Sequence, residues 1–550
     1  MSRHGGHILV QALLEQGVEV VTCVPGESFL PVLDGLHDVS DRIRLVVAKH
    51  EGGAGSMAEA YGKLTQRAGV CLVTRGPGAM HAAVAVHTAQ QDATPLVLMI
   101  GQVSSRTRGR GSFQEHDAAS VFGSMAKAVL RLETADRIPE IVARAFRVAE
   151  SGRRGPVVVE LPEDVLHAQV ELEVWPRLPP LEAGPSTADL AAISDVLRKA
   201  ERPLIVVGRG PWSEDARLGL ETFALRNGIP VLAAFRCQDY IGTDSPAYCG
   251  HLSFTLDPTL QALTSEADLV LAIGGQLGDV DTQGYGLWSD PRSRPRLLHA
   301  VTDPVDANRH LPAEHLILAS GPALVRALEG ARLTVDRHPA WLERARSEQA
   351  ARSVPAVDDV LGGMMAYLAE VLPPEAVVCS GAGNYAVWVH RYMPYRRFGS
   401  QLAPASGAMG YGLPAGTMAS LLDRDRPVVV FGGDGCLLMS VQELATVSEH
   451  GLTPVIVVVN NGIYGTIRMH QERTFPGRTS GTDVHGPDFV ALARAFGLEA
   501  RRVGTVAEFA EAWQSLTGRG KAVLIEVVTD PDVLAPGLRT SALRSSQGPG

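Results

Sequence analysis

The segment 428–461 constrains the fold of this 550-residue chain more than any other part of it. Two apolar runs rich in β-branched residues, 428–431 and 455–459, enclose a stretch with helical spacing at 439–450. Apolar runs of this length, bounded by Gly or Pro, predict buried parallel strands. The segment therefore predicts strand, turn, helix and strand in an open α/β sheet, where ligands bind at the carboxyl ends of the strands.

Polar groups follow both predicted strands at those carboxyl ends. A Gly-Asp-Gly triplet at 433–435 comes after the first strand, and two asparagines at 460–461 come after the second. A crossover of this length brings both strand ends to one edge of the sheet, where a hard cation such as Mg²⁺ finds the oxygen ligands it prefers. We expect the metal ligands to be Asp434, the side-chain oxygen of Asn461 and the main-chain oxygen of Ile463.

The triplet and the asparagine pair together resemble the thiamine diphosphate signature, GDG followed at about this distance by NN. Here 24 residues separate Gly435 from Asn460. A lone GDG triplet is often an ordinary turn, so the asparagines after a second strand make the resemblance specific. It implies thiamine diphosphate and Mg²⁺ as cofactors. Gly435 would let the backbone approach the phosphates, and the following helix would offer N–H groups to them.

A glutamate at the start of an early helix extends the resemblance. In thiamine diphosphate enzymes such a glutamate bonds the N1′ nitrogen of the cofactor and activates it. Glu51 follows the apolar strand 45–48, and residues 50–61 resemble the glutamate helix of the acetolactate synthase family. A Glu at a helix start is otherwise usually a charge that complements the helix dipole. The poor helix formers at 52–55 indicate that another chain packs closely there, and Glu59 is expected to be a surface or packing charge.

Further stretches resemble the same family in order along the chain, at 74–79, 113–115 and 406–415. In the last of these, Met409 corresponds to the residue that wedges between the two cofactor rings, although a Met can also be core filler. By resemblance the further cofactor contacts are Pro25, Gly26, Gly383, Asn384, Tyr385, Gly407, Gly435, Cys436, Tyr464 and Gly465. The candidate catalytic residues are Glu51, Gln114, Met409 and His470. Additional substrate-side candidates are Gly26, Glu27 and Phe113.

Composition and charge exclude several classes of function. Hydrophobic residues make up 45% of the chain and charged residues 20%, as in ordinary globular proteins. The formal net charge of −10 gives no basic surface for nucleic acid. The six cysteines form no Cys-x-x-Cys pair, so we expect them to be small buried hydrophobic residues. For Cys436, this structural role is the alternative to a contact with the diphosphate. Because we find neither a signal peptide nor a membrane-spanning apolar run, we expect a cytoplasmic protein without a membrane partner.

Alternating strands and helices predict an α/β protein with three doubly wound parallel-sheet domains. A Pro-rich stretch at 174–185 and a polar stretch at 336–358 interrupt the alternation. The resemblance implies a pyrimidine-binding, a central and a diphosphate-binding domain. We expect them to span 1–172, 188–333 and 358–535, with a mobile tail at 536–550.

Two regions depart from the acetolactate synthase pattern. The loop 276–284 lacks the Phe-Asp-Asp-Arg stretch of the FAD-binding members. We therefore expect no FAD and a structural central domain, with a bound nucleotide as the alternative. On the substrate side, His470 stands where the family has a Trp, and 162–164 reads Pro-Glu-Asp where the family has Pro-Lys-Asp.

The resemblance implies decarboxylation of a small 2-oxo acid, carboligation of the product to a second carbonyl, or both. It also implies a homodimer or tetramer, because Glu51 and the metal ligands lie in domains that come from different chains in this family. The alternative enzymes are a FAD-free lyase or carboligase acting on acyloins, aldehydes or 2-hydroxyacyl thioesters, and a hydrolase of a cyclic diketone. An idle partner subunit is a further class, against which intact Glu51, Asp434 and Asn461 argue.

Overall fold

Three six-stranded parallel sheets form the framework of the protein, seen in a computed structural model that describes residues 3–333, 338–356 and 358–545. The N-terminal sheet contains β1 Val20–Cys23, β2 Arg44–Val47, β3 Gly69–Val73, β4 Leu96–Gln102, β5 Ala128–Arg131 and β6 Pro156–Pro162. The central sheet contains β7 Pro203–Val207, β8 Val231–Ala233, β9 Tyr248–His251, β10 Leu269–Ile273, β11 Arg296–Val301 and β12 His315–Leu318. The C-terminal sheet contains β13 Val377–Ser380, β14 Gln401–Leu402, β15 Val428–Gly433, β16 Val455–Asn460, β17 Glu499–Val503 and β18 Val523–Val528.

Helices connect and cover these strands. Those of the first domain are α1 Gly5–Glu15, α2 Leu30–His37, α3 Glu51–Thr65, α4 Pro77–Asp92, α5 Ala118–Phe122, α6 Ile138–Glu150 and α7 Glu163–His167. The next five are α8 Thr187–Lys199, α9 Glu214–Asn227, α10 Pro258–Glu266, α11 Gly321–Gly330 and α12 Pro339–Arg352. The remainder are α13 Val360–Val371, α14 Tyr385–Tyr392, α15 Gly412–Leu422, α16 Asp434–Leu438, α17 Leu444–Glu449, α18 Gly465–Thr474, α19 Phe489–Ala495, α20 Val506–Leu516 and α21 Thr540–Ser545. In the described ranges, none of the helices combines the length and the apolar character needed to cross a bilayer.

The first and third sheets share one strand order. It is β2-β1-β3-β4-β6-β5 in the first and β14-β13-β15-β16-β18-β17 in the third, whereas the central order is β9-β8-β7-β10-β11-β12. All three are parallel sheets with crossover helices, so the predicted fold class is confirmed. The limits of the three domains stay predictions.

The segment that carries the Gly-Asp-Gly triplet folds as two parallel neighbours, β15 and β16, joined by a broken helix. The single helix predicted at 439–450 is wrong. Instead α16 starts directly after β15, a 3-10 turn follows at Val441–Glu443, and α17 completes the crossover. The break has a tertiary cause, because the Ser440 hydroxyl donates a hydrogen bond to the main-chain oxygen of Gly410 at 2.7 Å.

The polar stretch at 336–358 is more than a connector. It contains α12, whose Trp341 indole N–H donates to the main-chain oxygen of Pro203 at 2.9 Å, while Arg344 pairs with Glu266 at 2.7 Å. These contacts attach the helix to the central domain. Residues 334–337 and 357 lie outside the described part of the chain.

The segment predicted as a mobile tail, 536–550, begins with regular structure. Leu538–Arg539 pairs as a strand with Val533–Ala535, and α21 follows it. The Asp532 carboxylate accepts hydrogen bonds from the main-chain N–H and the hydroxyl of Ser541, which fixes the start of that helix. Residues 546–550 are outside the described ranges.

Glu59 joins the first domain to the third. Its side chain is fully buried, which corrects the prediction that it could be a surface charge. The Tyr411 hydroxyl donates to Glu59 Oε2 at 2.5 Å, and the Lys63 ammonium lies 3.5 Å from Oε1. Burial raises the pKa of Glu59, and Lys63 opposes that shift.

Asp239 attaches the central domain to the C-terminal domain in a similar way. Its Oδ2 atom accepts hydrogen bonds from the main-chain N–H groups of Gly399 at 2.9 Å and Gln401 at 3.3 Å. Burial raises the pKa of Asp239 from 3.8 to about 7. The folded state therefore binds a proton that the unfolded state has already released, and the stability gained from it is lost as the pH rises through the folded-state value.

We predict that Asp239→Asn removes this pH dependence, because an amide does not titrate. Between about pH 5 and about pH 8, the melting temperature of the wild type should fall relative to that of the variant, as scanning calorimetry can measure. Asp215→Asn, at an exposed carboxylate in the first turn of α9, is the control and should melt in parallel with the wild type. Parallel melting of Asp239→Asn and the wild type would contradict the prediction.

Candidate active site

Asp434 lies where β15 and β16 end side by side. Gly433 at the end of β15 pairs with Val459 of β16, so the chain leaves both strands at the same edge of the sheet. Asp434 Oδ1 accepts a hydrogen bond from the N–H of Gly435 at 2.8 Å, and Oδ2 accepts one from the N–H of Gly462 at 2.9 Å. The carboxylate thus joins the two turns whose proximity the sequence predicts.

The Asp434 carboxylate is buried, with a residue exposure of 4%. Burial raises its pKa and the N–H groups of Gly435 and Gly462 oppose the shift, while no Lys or Arg of the described residues contributes. A buried carboxylate is costly unless a positive charge accompanies it. A cation bound at this edge would supply that charge, so the surroundings of Asp434 fit a metal ligand.

The other two predicted metal ligands lie in the turn after β16. Asn461 Oδ1 accepts a hydrogen bond from the N–H of Ile463 at 3.2 Å, and the main-chain oxygen of Ile463 accepts one from the N–H of Gly465 at 3.0 Å. Each of these oxygens has a second lone pair. The turn is therefore compatible with oxygen coordination at both atoms, and the metal assignment stays a prediction.

Asn384, which precedes α14, carries a buried amide nitrogen that no described residue bonds. Its Oδ1 accepts a hydrogen bond from the Thr466 hydroxyl at 2.7 Å, whereas Nδ2 is unpaired within the described residues. Buried donors are normally satisfied. A Cβ built on Gly465 would lie 3.8 Å from this nitrogen, and Gly383 before it adopts a φ of 146°. The unpaired donor fits a bound acceptor such as a diphosphate oxygen.

Tyr385 and Cys436, also predicted as cofactor contacts, are buried beneath this loop. The Tyr385 hydroxyl accepts a hydrogen bond from the N–H of Gly381 at 3.0 Å and donates to the main-chain oxygen of Phe431 at 3.3 Å. It lies 3.4 Å from Cys436 Sγ. Both side chains support the loop from below, and their direct contact with a ligand stays a prediction.

Near the sheet edge that carries Asp434, the backbone is open at Gly407 and closely packed at Gly435. Gly407 has a φ of 69°, and a Cβ built on it would meet nothing within 4 Å. Met409 is half-buried against the C-terminal core. On the other side, a Cβ at Gly435 would lie 2.5 Å from the Tyr464 ring, so only glycine allows that approach.

Glu51 opens α3, as predicted, and lies against α4. The preceding His50 caps the helix, since its Nδ1 accepts a hydrogen bond from the N–H of Gly52 at 3.0 Å. Glu51 Oε2 lies 2.9 Å from His81 Nδ1, and Oε1 lies 3.3 Å from the position of a Cβ built on Gly78. Sequence analysis missed His81, whose only signal is its place one turn into the helix after the Gly-Pro-Gly loop.

The glycines at the start of α3 pack within the chain, which corrects the prediction that another chain lies against them. A Cβ at Gly53 would collide with the Glu443 carboxylate, and one at Gly55 would lie 2.5 Å from the Ala85 Cβ. Glu443 Oε1 also accepts a hydrogen bond from the N–H of Lys49 at 3.1 Å. These small residues are needed because α4 and the 3-10 turn after α16 approach α3 closely.

Arg75 gathers three of the predicted substrate-side elements. Its guanidinium donates to Glu27 Oε1 at 3.1 Å, to the main-chain oxygen of Phe113 at 3.2 Å and to Glu163 Oε1 at 2.5 Å. Gln114 follows with a φ of 62°, a conformation that is uncommon outside glycine. Sequence analysis did not identify Arg75. The available signal was Glu163, which stands where the family has a Lys and which pairs with Arg75.

The remaining substrate-side candidates lie apart from one another. Pro25 and Gly26 form the turn after β1, where a Cβ at Gly26 would lie 2.5 Å from Thr74 Cβ in the loop after β3. His470 is exposed on α18. Within the described ranges, no hydrogen bond or ion pair brings His470 to Glu51.

Two separate clusters therefore result, one around Glu51 and one around Asp434. The described hydrogen bonds of Glu51 and Asp434 stay within the N-terminal and the C-terminal domain, respectively.

Three family models match the chain, one for each sheet. They describe the N-terminal TPP binding domain of thiamine pyrophosphate enzymes at 3–121, the central domain at 190–328 and the C-terminal TPP binding domain at 381–527. The chain belongs to the thiamine pyrophosphate enzymes.

Relatives of this thiamine pyrophosphate enzyme include acetolactate synthase large subunits. That of Parasynechococcus marenigrum is 30% identical over 521 residues, covering 91% of this chain and 83% of that protein. That of Corynebacterium glutamicum is 30% identical over 558 residues, covering 96% and 87%. The isozyme 2 large subunit of Escherichia coli is 29% identical over 531 residues, covering 96% of each. The resemblance inferred from the motifs is confirmed, and the protein is a thiamine pyrophosphate-dependent enzyme related to these subunits.

Proposed function

We propose that this enzyme uses thiamine pyrophosphate and Mg²⁺ to decarboxylate a 2-oxo acid, to join the resulting fragment to a second carbonyl compound, or to do both. The observation that carries the proposal is the convergence of the buried Asp434 carboxylate with the turn 461–465 at one sheet edge. Together with the unpaired amide of Asn384, this edge offers acceptors for a cation and a donor for an anion.

Asp434, Asn461 and Ile463 would hold the metal through oxygen atoms, the ligand type that Mg²⁺ prefers. Water and diphosphate oxygens would complete its coordination. The charge of the metal would offset the desolvation of Asp434, which the described residues leave without a cationic partner.

Glu51 would hold and return a proton at the N1′ nitrogen of the cofactor. Bound thiamine pyrophosphate supplies a nucleophilic carbon and accepts the electrons released when CO₂ leaves. Glu51 suits the proton-handling part because its side chain is only 14% exposed and its Oε1 has no hydrogen-bond partner in the described structure. Met409, half-buried beside the open Gly407 turn, would orient the cofactor rings.

We further propose a homodimer, alone or paired into a tetramer, in which the C-terminal domain of one chain covers α4 of the other. Met80 and Val84 on α4 are 40% and 45% exposed, and both flank His81 beside Glu51. Apolar residues exposed together mark interaction surfaces. On the C-terminal domain, Ile467 of α18 is likewise 53% exposed. Such a dimer would bring the Glu51 and Asp434 clusters to one cofactor.

We also propose that the reaction needs no FAD. At the carboxyl ends of the central strands, the Arg209 guanidinium donates to the main-chain oxygen of Phe235 and lies 3.8 Å from both Asp92 and Asp281. These groups satisfy one another across the crevice. The proposal rests on the loop 276–284, which lacks the Phe-Asp-Asp-Arg stretch of the FAD-binding members.

The cluster around Arg75 favours a second candidate function. Two carboxylates, Glu27 and Glu163, pair with the single Arg75 cation, so these three side chains together carry a net negative charge. A neutral acyloin or aldehyde suits such surroundings better than a 2-oxo acid does. The second candidate is therefore a FAD-free lyase or carboligase that acts on these compounds.

The two candidates are separated by an assay of the purified full chain with thiamine pyrophosphate and Mg²⁺ and without flavin. The panel contains 2-oxo acids, acyloins and aldehydes, with products identified by mass. We expect CO₂ and a condensation product from a 2-oxo acid. Turnover of acyloins or aldehydes alone would favour the second candidate, and no turnover of any class would contradict both.

We predict that Asp434→Asn abolishes most Mg²⁺-dependent cofactor binding while the fold persists. The amide keeps the shape and one of the two oxygens that accept from the N–H groups of Gly435 and Gly462. It loses the other acceptor and the only charged protein ligand proposed for the metal. Calorimetric titration should show an affinity loss of at least about a hundredfold. Asp483→Asn, at a carboxylate near the same turn that pairs with Arg468, is the control and should bind normally. Unchanged binding by Asp434→Asn would mean that this carboxylate is no metal ligand.

A further inference from the structure

We infer that His81 is a positioning residue for Glu51, holding one carboxylate oxygen so that the other stays free for the cofactor. The inference deepens the proposed function and rests on the role proposed there for Glu51. It concerns a side chain that the sequence motifs quoted above do not include.

The contact itself is a well-formed hydrogen bond. His81 Nδ1 lies 2.9 Å from Glu51 Oε2, within the ordinary range for N–H···O bonds. In the arrangement we infer, His81 donates its Nδ1–H and the Glu51 oxygen accepts, because an ionised carboxylate can only accept. Because a hydrogen bond to an ionised group is stronger than a neutral one, the bond restrains the Glu51 side chain.

The His81 ring is itself held in place. It stacks on the His50 ring with centroids 4.6 Å apart and an angle of 27° between the planes. His50 in turn cannot rotate freely, because its Nδ1 caps α3 by accepting the N–H of Gly52. A continuous set of contacts therefore runs from the helix cap through two rings to the Glu51 carboxylate.

The second oxygen of Glu51 is left open. Oε1 lies 3.3 Å from where a Cβ would stand on Gly78, and it has no hydrogen-bond donor within the described ranges. Rotation that exchanges the two oxygens must first break the hydrogen bond to His81. Fixing the reactive oxygen in this way is the pre-organisation that proton transfer in an active site requires.

The same three side chains lie close enough to hold a metal ion between them. Their geometry argues against that use. His50 Nδ1 already accepts the N–H of Gly52, so that nitrogen is engaged. Glu51 Oε2 is also already engaged by His81.

The test uses His81→Phe, which keeps a ring for the stack on His50 but removes the donor, and His81→Asn, whose amide N–H stands near the position of Nδ1. His87→Phe is the control, an exposed histidine on the same helix that lies about 120° around its axis from His81. Sedimentation and melting temperature establish that each variant assembles and folds as the wild type does.

The first readout is hydrogen–deuterium exchange at C2 of the enzyme-bound cofactor. His81→Phe should slow it about tenfold to a hundredfold, the range typical of lost orienting contacts. His81→Asn and His87→Phe should stay within about threefold of the wild type, and cofactor affinity measured by calorimetry should change by less than about threefold in all variants. Normal exchange in His81→Phe, or equal slowing in His81→Phe and His81→Asn, would overturn the inference.

The second readout needs no cofactor. In the apoenzyme with ¹⁵N-labelled histidine, the NMR spectrum should show His81 protonated at Nδ1, and Glu51→Ala should change that signal. An unprotonated Nδ1, or a signal indifferent to Glu51→Ala, would contradict the hydrogen bond.

Glu51→Gln separates this inference from the proposed function. If Glu51→Gln exchanges C2 as fast as the wild type, the role proposed for Glu51 is itself wrong. If Glu51→Gln is slow while His81→Phe is normal, only the role of His81 is refuted.

Discussion

The pairing of β15 with β16 is the constraint on which the rest of the site depends. Gly433 stands opposite Val459, so the carboxyl ends of both strands meet and Asp434 reaches the N–H of Gly462 at 2.9 Å. A slip of one residue in this register would turn every side chain of a strand to the other face of the sheet. The Asp434 carboxylate would then lose the turn that it joins, and with it the proposed metal site.

Buried polar contacts between domains fix the surroundings of that edge. Tyr411 donates to the fully buried Glu59, and Asp239 accepts from the main chain of Gly399, so each neighbouring domain is attached to the C-terminal domain. Buried carboxylates are costly unless they are hydrogen-bonded. Any other arrangement of the domains would leave Glu59 and Asp239 without these partners, so the contacts favour the observed arrangement. The repeated strand order of the first and third sheets gives the chain two similar sheet edges, one bearing Glu51 and the other Asp434.

Sequence pattern predicted those parts of the structure that local chemistry decides. The strands at 428–431 and 455–459 and the three-sheet fold follow from the pattern of apolar runs and alternating elements, and the helix that begins at Glu51 follows from the family resemblance of residues 50–61. The features that the sequence pattern did not predict depend on contacts between residues far apart in the sequence. The helix predicted at 439–450 breaks where Ser440 bonds Gly410.

Contacts from other parts of the chain also decided how the Glu51 helix is packed. The glycines of α3 make room for Glu443, 390 positions further along the chain from Gly53, and not for a second chain. The pairings of His81 with Glu51 and of Arg75 with Glu163 join elements that no local pattern relates. The candidate site was therefore predictable as a set of motif residues, but its hydrogen-bond partners were not.

The central claim is that Glu51 of one chain and Asp434 of another serve the same cofactor. Co-expression of Glu51→Gln and Asp434→Asn chains with different tags yields a mixed dimer that contains one intact site and one doubly altered site. With each parent dimer inactive, the mixed dimer should turn over at about half the wild-type rate per dimer. A mixed dimer as inactive as its parents would contradict the claim, because both residues would then have to act within one chain.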